Sequence, residues 1–137
     1  MRPGRAQLRE RAGRGHVAGT ALGRRAEVAV ADYLFASGFS ILARNLRLGP
    51  LELDVVARSG ALVVVVEVRT RRKGALVTAF ESVTPSKRAR LIRAVDRLWR
   101  TRLVAMRDIE RVRIDVAAVT FVCGRTLVEY ASGAIGG

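Results

Sequence analysis

Leu51-Glu52-Leu53-Asp54-Val55-Val56-Ala57 and Ala61-Leu62-Val63-Val64-Val65-Val66-Glu67-Val68-Arg69 are the two segments that decide the fold. Both are short, apolar and rich in β-branched residues, so each reads as a strand, and Arg58-Ser59-Gly60 reads as the hairpin connection. The run Val63 to Val66 lacks polar alternation, which predicts a strand buried on both faces and central in its sheet. Into these strands the chain sets Glu52, Asp54 and Glu67. A carboxylate in a buried strand is costly unless it is paired or holds a metal. Side chains alternate, so Glu52 shares a face with Asp54, and Glu67 shares one with Val63, Val65 and Arg69. Pairing about a tight turn at Ser59 sets Asp54 opposite a residue near Val64, and a bend or bulge is then needed for Asp54 to meet Glu67.

The other elements follow on either side. Leu22, Ala26, Ala29, Val30, Tyr33 and Leu34 recur at helical spacing, with Thr20 as N-cap and Gly38 as the stop, and Glu27 lies beside this stripe. Phe39 to Leu46 suits a first strand, and Gly49-Pro50 a turn. Residues 70–84 read as an irregular basic loop with a short helical turn around Ala79 to Ser82. Pro85 to Leu103 is the clearest helix, with Ile92, Val95, Leu98 and Trp99 on its apolar face. Arg111 to Phe121 alternates as a fourth strand, and Arg125 to Tyr130 as a short edge strand. The domain is thus expected over residues 20–131, between a basic arm at 1–19 and a flexible tail at 132–137. The order of helix, three strands, helix and two strands predicts an α/β class with a mixed sheet.

A chain of 137 residues has room for one domain with a real core. Its net charge is +13, from 25 Lys and Arg against 12 Asp and Glu, which favours a polyanionic partner. A single histidine, His16, excludes His-based zinc sites and a Ser-His-Asp triad. One cysteine, Cys123, excludes an intrachain disulfide and fits a reducing cytoplasm. It reads as a packed core residue. The apolar runs fall far short of the roughly 20 residues that span a bilayer, so no membrane partner is expected.

Two carboxylates and a backbone carbonyl can hold a hard cation such as Mg²⁺ or Mn²⁺. That makes Asp54 and Glu67 candidate metal ligands. Arg69 could clamp a phosphate but could not act as a base, since guanidinium keeps its proton. The competing reading pairs Glu52, Asp54 and Glu67 with arginines at a sheet edge, and spacing does not choose between the two. Basic residues gather in the arm, in the loop Arg69, Arg71, Arg72 and Lys73, and on the second helix. That helix carries Lys87, Arg88, Arg90, Arg93, Arg97, Arg100 and Arg102 against Asp96 alone. Self-repulsion of such a helix favours a bound nucleic acid over a merely solvated face. Arg71, Arg72, Lys73, Lys87, Arg88 and Arg90 are the candidate contacts. Trp99 fits core packing better than base stacking, and Asp115 suits a structural pairing with an arginine.

The sequence also resembles a family. Gly23 to Glu27, Ala31 to Leu34, Gly38-Phe39, Ile41 to Asn45, Glu52 with Asp54, Val66 to Arg71, Lys87 and Arg113 to Val116 follow, in order, the pattern of the YraN family of small bacterial proteins. That family is similar to restriction-endonuclease-like nucleases of the PD-(D/E)XK type, including Holliday-junction resolvases. The resemblance implies a restriction-endonuclease-like α/β fold with a central mixed β-sheet flanked by α-helices. It implies a metal-dependent nuclease acting on DNA rather than RNA, with branched or single-stranded substrates. Asp54 and Glu67 would be the metal ligands, Glu27 the helix-borne acid that completes the catalytic set, and Arg69 the motif's basic member. By analogy with resolvases the protein would be a homodimer. Two positions depart from the pattern: Arg69 stands where the family has Lys, and Leu51 where it has Gly. A second reading is therefore a nucleic-acid-binding module with a degenerate, inactive nuclease site.

Overall fold

The computed structural model describes residues 20–70 and 76–136. The arm at 1–19 and the loop residues Arg71, Arg72 and Lys73 lie outside them. The elements in order are α1 (Ala21–Ala36), β1 (Ser40–Leu48), β2 (Leu51–Ser59), β3 (Leu62–Thr70), α2 (Leu76–Glu81), α3 (Pro85–Leu98), β4 (Arg111–Val122) and β5 (Arg125–Ile135). They form a five-stranded sheet in the order β1-β2-β3-β4-β5. β3 and β4 run parallel, and the other neighbours are antiparallel.

Local chemistry sets the helix ends. Thr20 Oγ1 accepts the Gly23 N–H at 2.9 Å and caps α1. At the other end Gly38 N–H donates to Phe35 O and Phe39 N–H to Leu34 O, a Schellman closure that turns the chain into β1. Thr84 Oγ1 caps α3 on the Lys87 N–H at 3.2 Å, with Pro85 in the first turn. α3 then closes into a π-helical turn over Trp99–Leu103, so the helix expected to run unbroken to Leu103 changes its geometry after Leu98.

The core has two layers, one on each face of the sheet. Leu46, Leu53, Val56, Val63, Val65, Ile114 and Val116 pack beneath Leu91, Val95 and Leu98 of α3. Val55, Ala57, Val64, Val66, Ala117 and Val119 pack beneath Ala26, Val30 and Leu34 of α1. Val63 to Val66 are at most 1 % exposed, and β3 is the middle strand. Each such valine contributes roughly 1.5–3 kcal/mol by leaving water. Trp99 packs against the α3-side core, as its helical spacing predicts.

Three further features differ from the sequence expectations. The β2–β3 turn is centred on Gly60-Ala61, not Ser59: Ser59 pairs with Leu62 and Val55 with Val66. Gly60, at φ +59, supplies the backbone that this two-residue turn needs. The shift of centre brings Asp54 level with Glu67 in that register. Next, the segment read as a tail is strand as far as Ile135, which is 4 % exposed and pairs with Ile114. Gly133, at φ +63, lets the edge strand bulge and turn its N–H onto buried Asp115, and the strand continues past that point. Lastly, Cys123 is exposed rather than packed, because it forms the β4–β5 turn at φ +50.

Candidate functional site: an acid cluster at the broken end of a hairpin

Asp54 is the centre of the site, and the sheet opens around it. The β1–β2 ladder runs Arg44↔Val55 and then Leu46↔Leu53, passing over Asn45 and Asp54. The β2–β3 ladder ends at Val55↔Val66. Asp54 therefore lies in neither ladder. Its Oδ2 accepts the Val68 N–H of β3 at 2.9 Å, so the carboxylate takes the place of a strand partner. Side-chain alternation slips here too: Leu53 and Val56 both face α3, and Val55 faces α1.

Around Asp54 the fold gathers the other acids. Burial and the neighbouring charge of Glu67 hold the Asp54 carboxyl well above the usual carboxylate range, and Glu27 adds to the rise. The Val68 N–H and Lys87 oppose the shift and do not cancel it. Glu67 is 5 % exposed. Arg69 Nη2 pairs with its Oε2 at 3.0 Å, and Lys87 Nζ stands 3.8 Å from the same oxygen. Lys87 comes from the first turn of α3, so the helix predicted to hold nucleic acid also places a cation at the acids.

Glu27 projects from α1 and is 4 % exposed. Burial raises its pKa, a hydrogen bond from Asn45 lowers it, and Glu52 raises it further. Arg44 and Arg24 also act on it. The structure thus brings Glu27, Asp54, Glu67, Arg69 and Lys87 together. Arg88 is turned away from this group: its guanidinium lies 4.9 Å over the Phe80 ring, and its Nε donates to Val83 O. Arg90 is exposed on α3. Asp115, on the neighbouring strand β4, is wholly buried and bound to Arg113, Tyr130 and Gly133, a structural role.

Sequence reading did not single out Asn45 as a site residue. It sits at φ +53 within a strand, a conformation uncommon outside glycine. Its only sequence signal was its place in the segment Ile41 to Asn45. The buried side-chain atoms without a protein partner, among the described residues, are Glu27 Oε1, Asn45 Oδ1 and Arg69 Nε. All three belong to this one place. No group of three or more His, Cys, Asp or Glu side chains converges as a metal cage among the described residues. Glu67 and Glu27 both act on Asp54 as neighbouring charges.

An α/β domain with a five-stranded mixed sheet, helices on both faces and acids where the central hairpin opens defines a protein of restriction-endonuclease-like architecture. The chain belongs to the uncharacterised protein family UPF0102, the YraN family, whose model matches residues 26–119. It is similar to a protein of this family from Sorangium cellulosum, at 50 % identity over 83 % of this chain and 80 % of that one. A Streptomyces coelicolor member is 41 % identical over 82 % of this chain and 87 % of its own length. One from Acidothermus cellulolyticus is 43 % identical over 83 % of this chain and 92 % of its own. No helix among the described residues is long and apolar enough to cross a membrane.

Proposed function

We propose that this protein is a divalent-metal-dependent nuclease that binds DNA, in preference to RNA, and hydrolyses phosphodiester bonds in branched or single-stranded substrates. The observation that carries the reading is the pairing of half-buried Asp54 with the β3 end that carries Glu67: Asp54 Oδ2 accepts the Val68 N–H at 2.9 Å, one residue from Glu67, which is 5 % exposed. An acid whose pKa burial and a second acid raise is unfavourable in the folded chain, and such an arrangement is typical of functional sites. The donor set suits a hard cation: both are carboxylates, and neither a histidine nor a thiolate stands among them. Mg²⁺ or Mn²⁺ would be held by Asp54 and Glu67. When bound, it would supply an acidified water and charge stabilisation at the phosphate.

Each side chain then has a part. Arg69 and Lys87 flank Glu67 and offer cations to a phosphate. Arg90 extends the basic surface along α3. Glu27 completes the acid set from the α1 side. A homodimer belongs to the same reading, and α1 exposes the apolar side chains of Val28 and Phe35. So does a cytoplasmic location.

A second reading is favoured by one contact. Arg69 pairs directly with Glu67 at 3.0 Å, and a guanidinium in that position cannot give up a proton. A binding module with a degenerate site would look the same. The deciding experiment incubates native protein and Arg69→Lys with flap, junction, single-stranded and duplex DNA in Mg²⁺ or Mn²⁺. Cleavage abolished by Asp54→Ala and Glu67→Ala supports the nuclease. Salt-sensitive DNA binding with no cleavage by either protein supports the inactive module.

A further inference from the structure

Asn45 sits where β1 slips in its alternation, since Ala43 and Leu46 on either side of it both face the α3 core. β1 pairs regularly with β2 on both sides of it, at Arg44↔Val55 and Leu46↔Leu53. At Asn45 itself φ is +53, and asparagine is one of the few residues that tolerate this region. Its side chain lies within hydrogen-bond reach of Glu27 on α1. Its amide donates to Glu27. Beside that bond, two buried oxygens, Asn45 Oδ1 and Glu27 Oε1, have no protein donor. Position 45 is also level with Asp54 in the β1–β2 register.

Buried polar atoms are nearly always satisfied, and an exception in a folded chain calls for a reason. Two unpaired acceptors on side chains that share a hydrogen bond suit a ligand with two donor hydrogens, and water is the simplest. We infer that Asn45 is a positioning residue of the acid site: its amide fixes the Glu27 carboxylate, and Asn45 Oδ1 with Glu27 Oε1 accepts the hydrogen bonds of one water beside Asp54. The inference rests on the proposed cation site, and it gives Glu27 an orienting role instead of a ligand's.

The test uses Asn45→Gly, which accepts positive φ without cost and deletes the amide. Thermal unfolding without metal and Mn²⁺ calorimetry without DNA are compared for native protein, Asn45→Gly, Glu27→Gln and the double variant. Asn45→Gly should fold cooperatively with a Tm within a few degrees of native, yet bind Mn²⁺ about 10-fold more weakly or worse, as loss of an outer-shell partner typically does. The double variant should be no weaker than the worse single one, because the two side chains act as one unit. Native binding with Asn45→Gly equal to it overturns the inference alone, and so does full additivity in the double variant. A lowered Tm with unchanged Mn²⁺ binding assigns Asn45 to the fold and overturns it as well. Absence of Mn²⁺ binding by native protein overturns the cation site and this inference with it.

Discussion

Replacing Asp115 by alanine should destabilise the protein more than any change at the acid site. The Asp115 carboxylate is 0 % exposed. It accepts from Arg113 Nε at 2.8 Å and Nη2 at 3.0 Å, from the Gly133 N–H at 2.7 Å and from the Tyr130 hydroxyl. Asp115→Ala leaves the Gly133 N–H without its acceptor, at a cost of about 1–3 kcal/mol. Breaking a buried ion pair from one side costs about 3–5 kcal/mol. The Arg113 side chain is 28 % exposed and can swing toward water, which lowers its share. The expected loss is therefore about 3–4 kcal/mol, or roughly 12–16 °C in Tm for a domain of this size. Urea unfolding should show the midpoint falling with an unchanged slope. Hydrogen exchange should show Ala131 to Ile135 losing protection first, since the Gly133 bond ties that half of β5 to β4. Adding Arg113→Met should recover part of the loss by removing the stranded charge. A loss below about 1 kcal/mol, the scale of an exposed pair, would refute the reasoning.

Other outcomes follow from the same physics. Burial and the Asp115 carboxylate push the Tyr130 phenol far above its ordinary 10.0. The folded state then holds a proton that the unfolded chain releases, so stability present below pH 10 is lost as pH rises beyond it. Tyr130→Phe should flatten that alkaline slope in urea titrations, and an unchanged slope would contradict the assignment. Asp54, by contrast, is a carboxylate raised above 3.8. The unfolded chain loses this proton first, so stability falls as pH climbs from about 4 through the raised value. In EDTA, Asp54→Asn should be more stable than native protein at pH 7.5, because the amide brings no charge into the half-buried site. That gain should vanish near pH 4, and a pH-independent destabilisation would count against the buried charge. Under the proposed function, Lys87→Gln and Arg90→Gln should each weaken DNA binding and reduce the log–log salt slope by about one. Unchanged slopes in fluorescence anisotropy would remove α3 from the nucleic-acid surface.

How much of this was legible in the sequence depends on the range of the interaction. The N-cap at Thr20, the stop at Gly38, the burial of Val63 to Val66 and the apolar face of α3 arise from neighbours a few residues apart. Periodicity and capping chemistry are local, so the chain by itself determined the elements, the central strand and the class of sheet. It also placed Asp54 and Glu67 on adjacent strands. Whether they met was a question of register, and register turned on one residue: a turn centred at Gly60-Ala61 aligns them, and one centred at Ser59 does not. Only the tertiary structure decided that, because turn centre and ladder are chosen together by the packing of both faces. The same holds for Lys87 at Glu67, for Asn45 bent toward Glu27, and for Asp115 drawing Gly133 into β5. Each joins groups 15 or more residues apart, where no periodicity in the chain reports the contact. A buried charge must find its partner across space, and three-dimensional packing alone determines which one it finds.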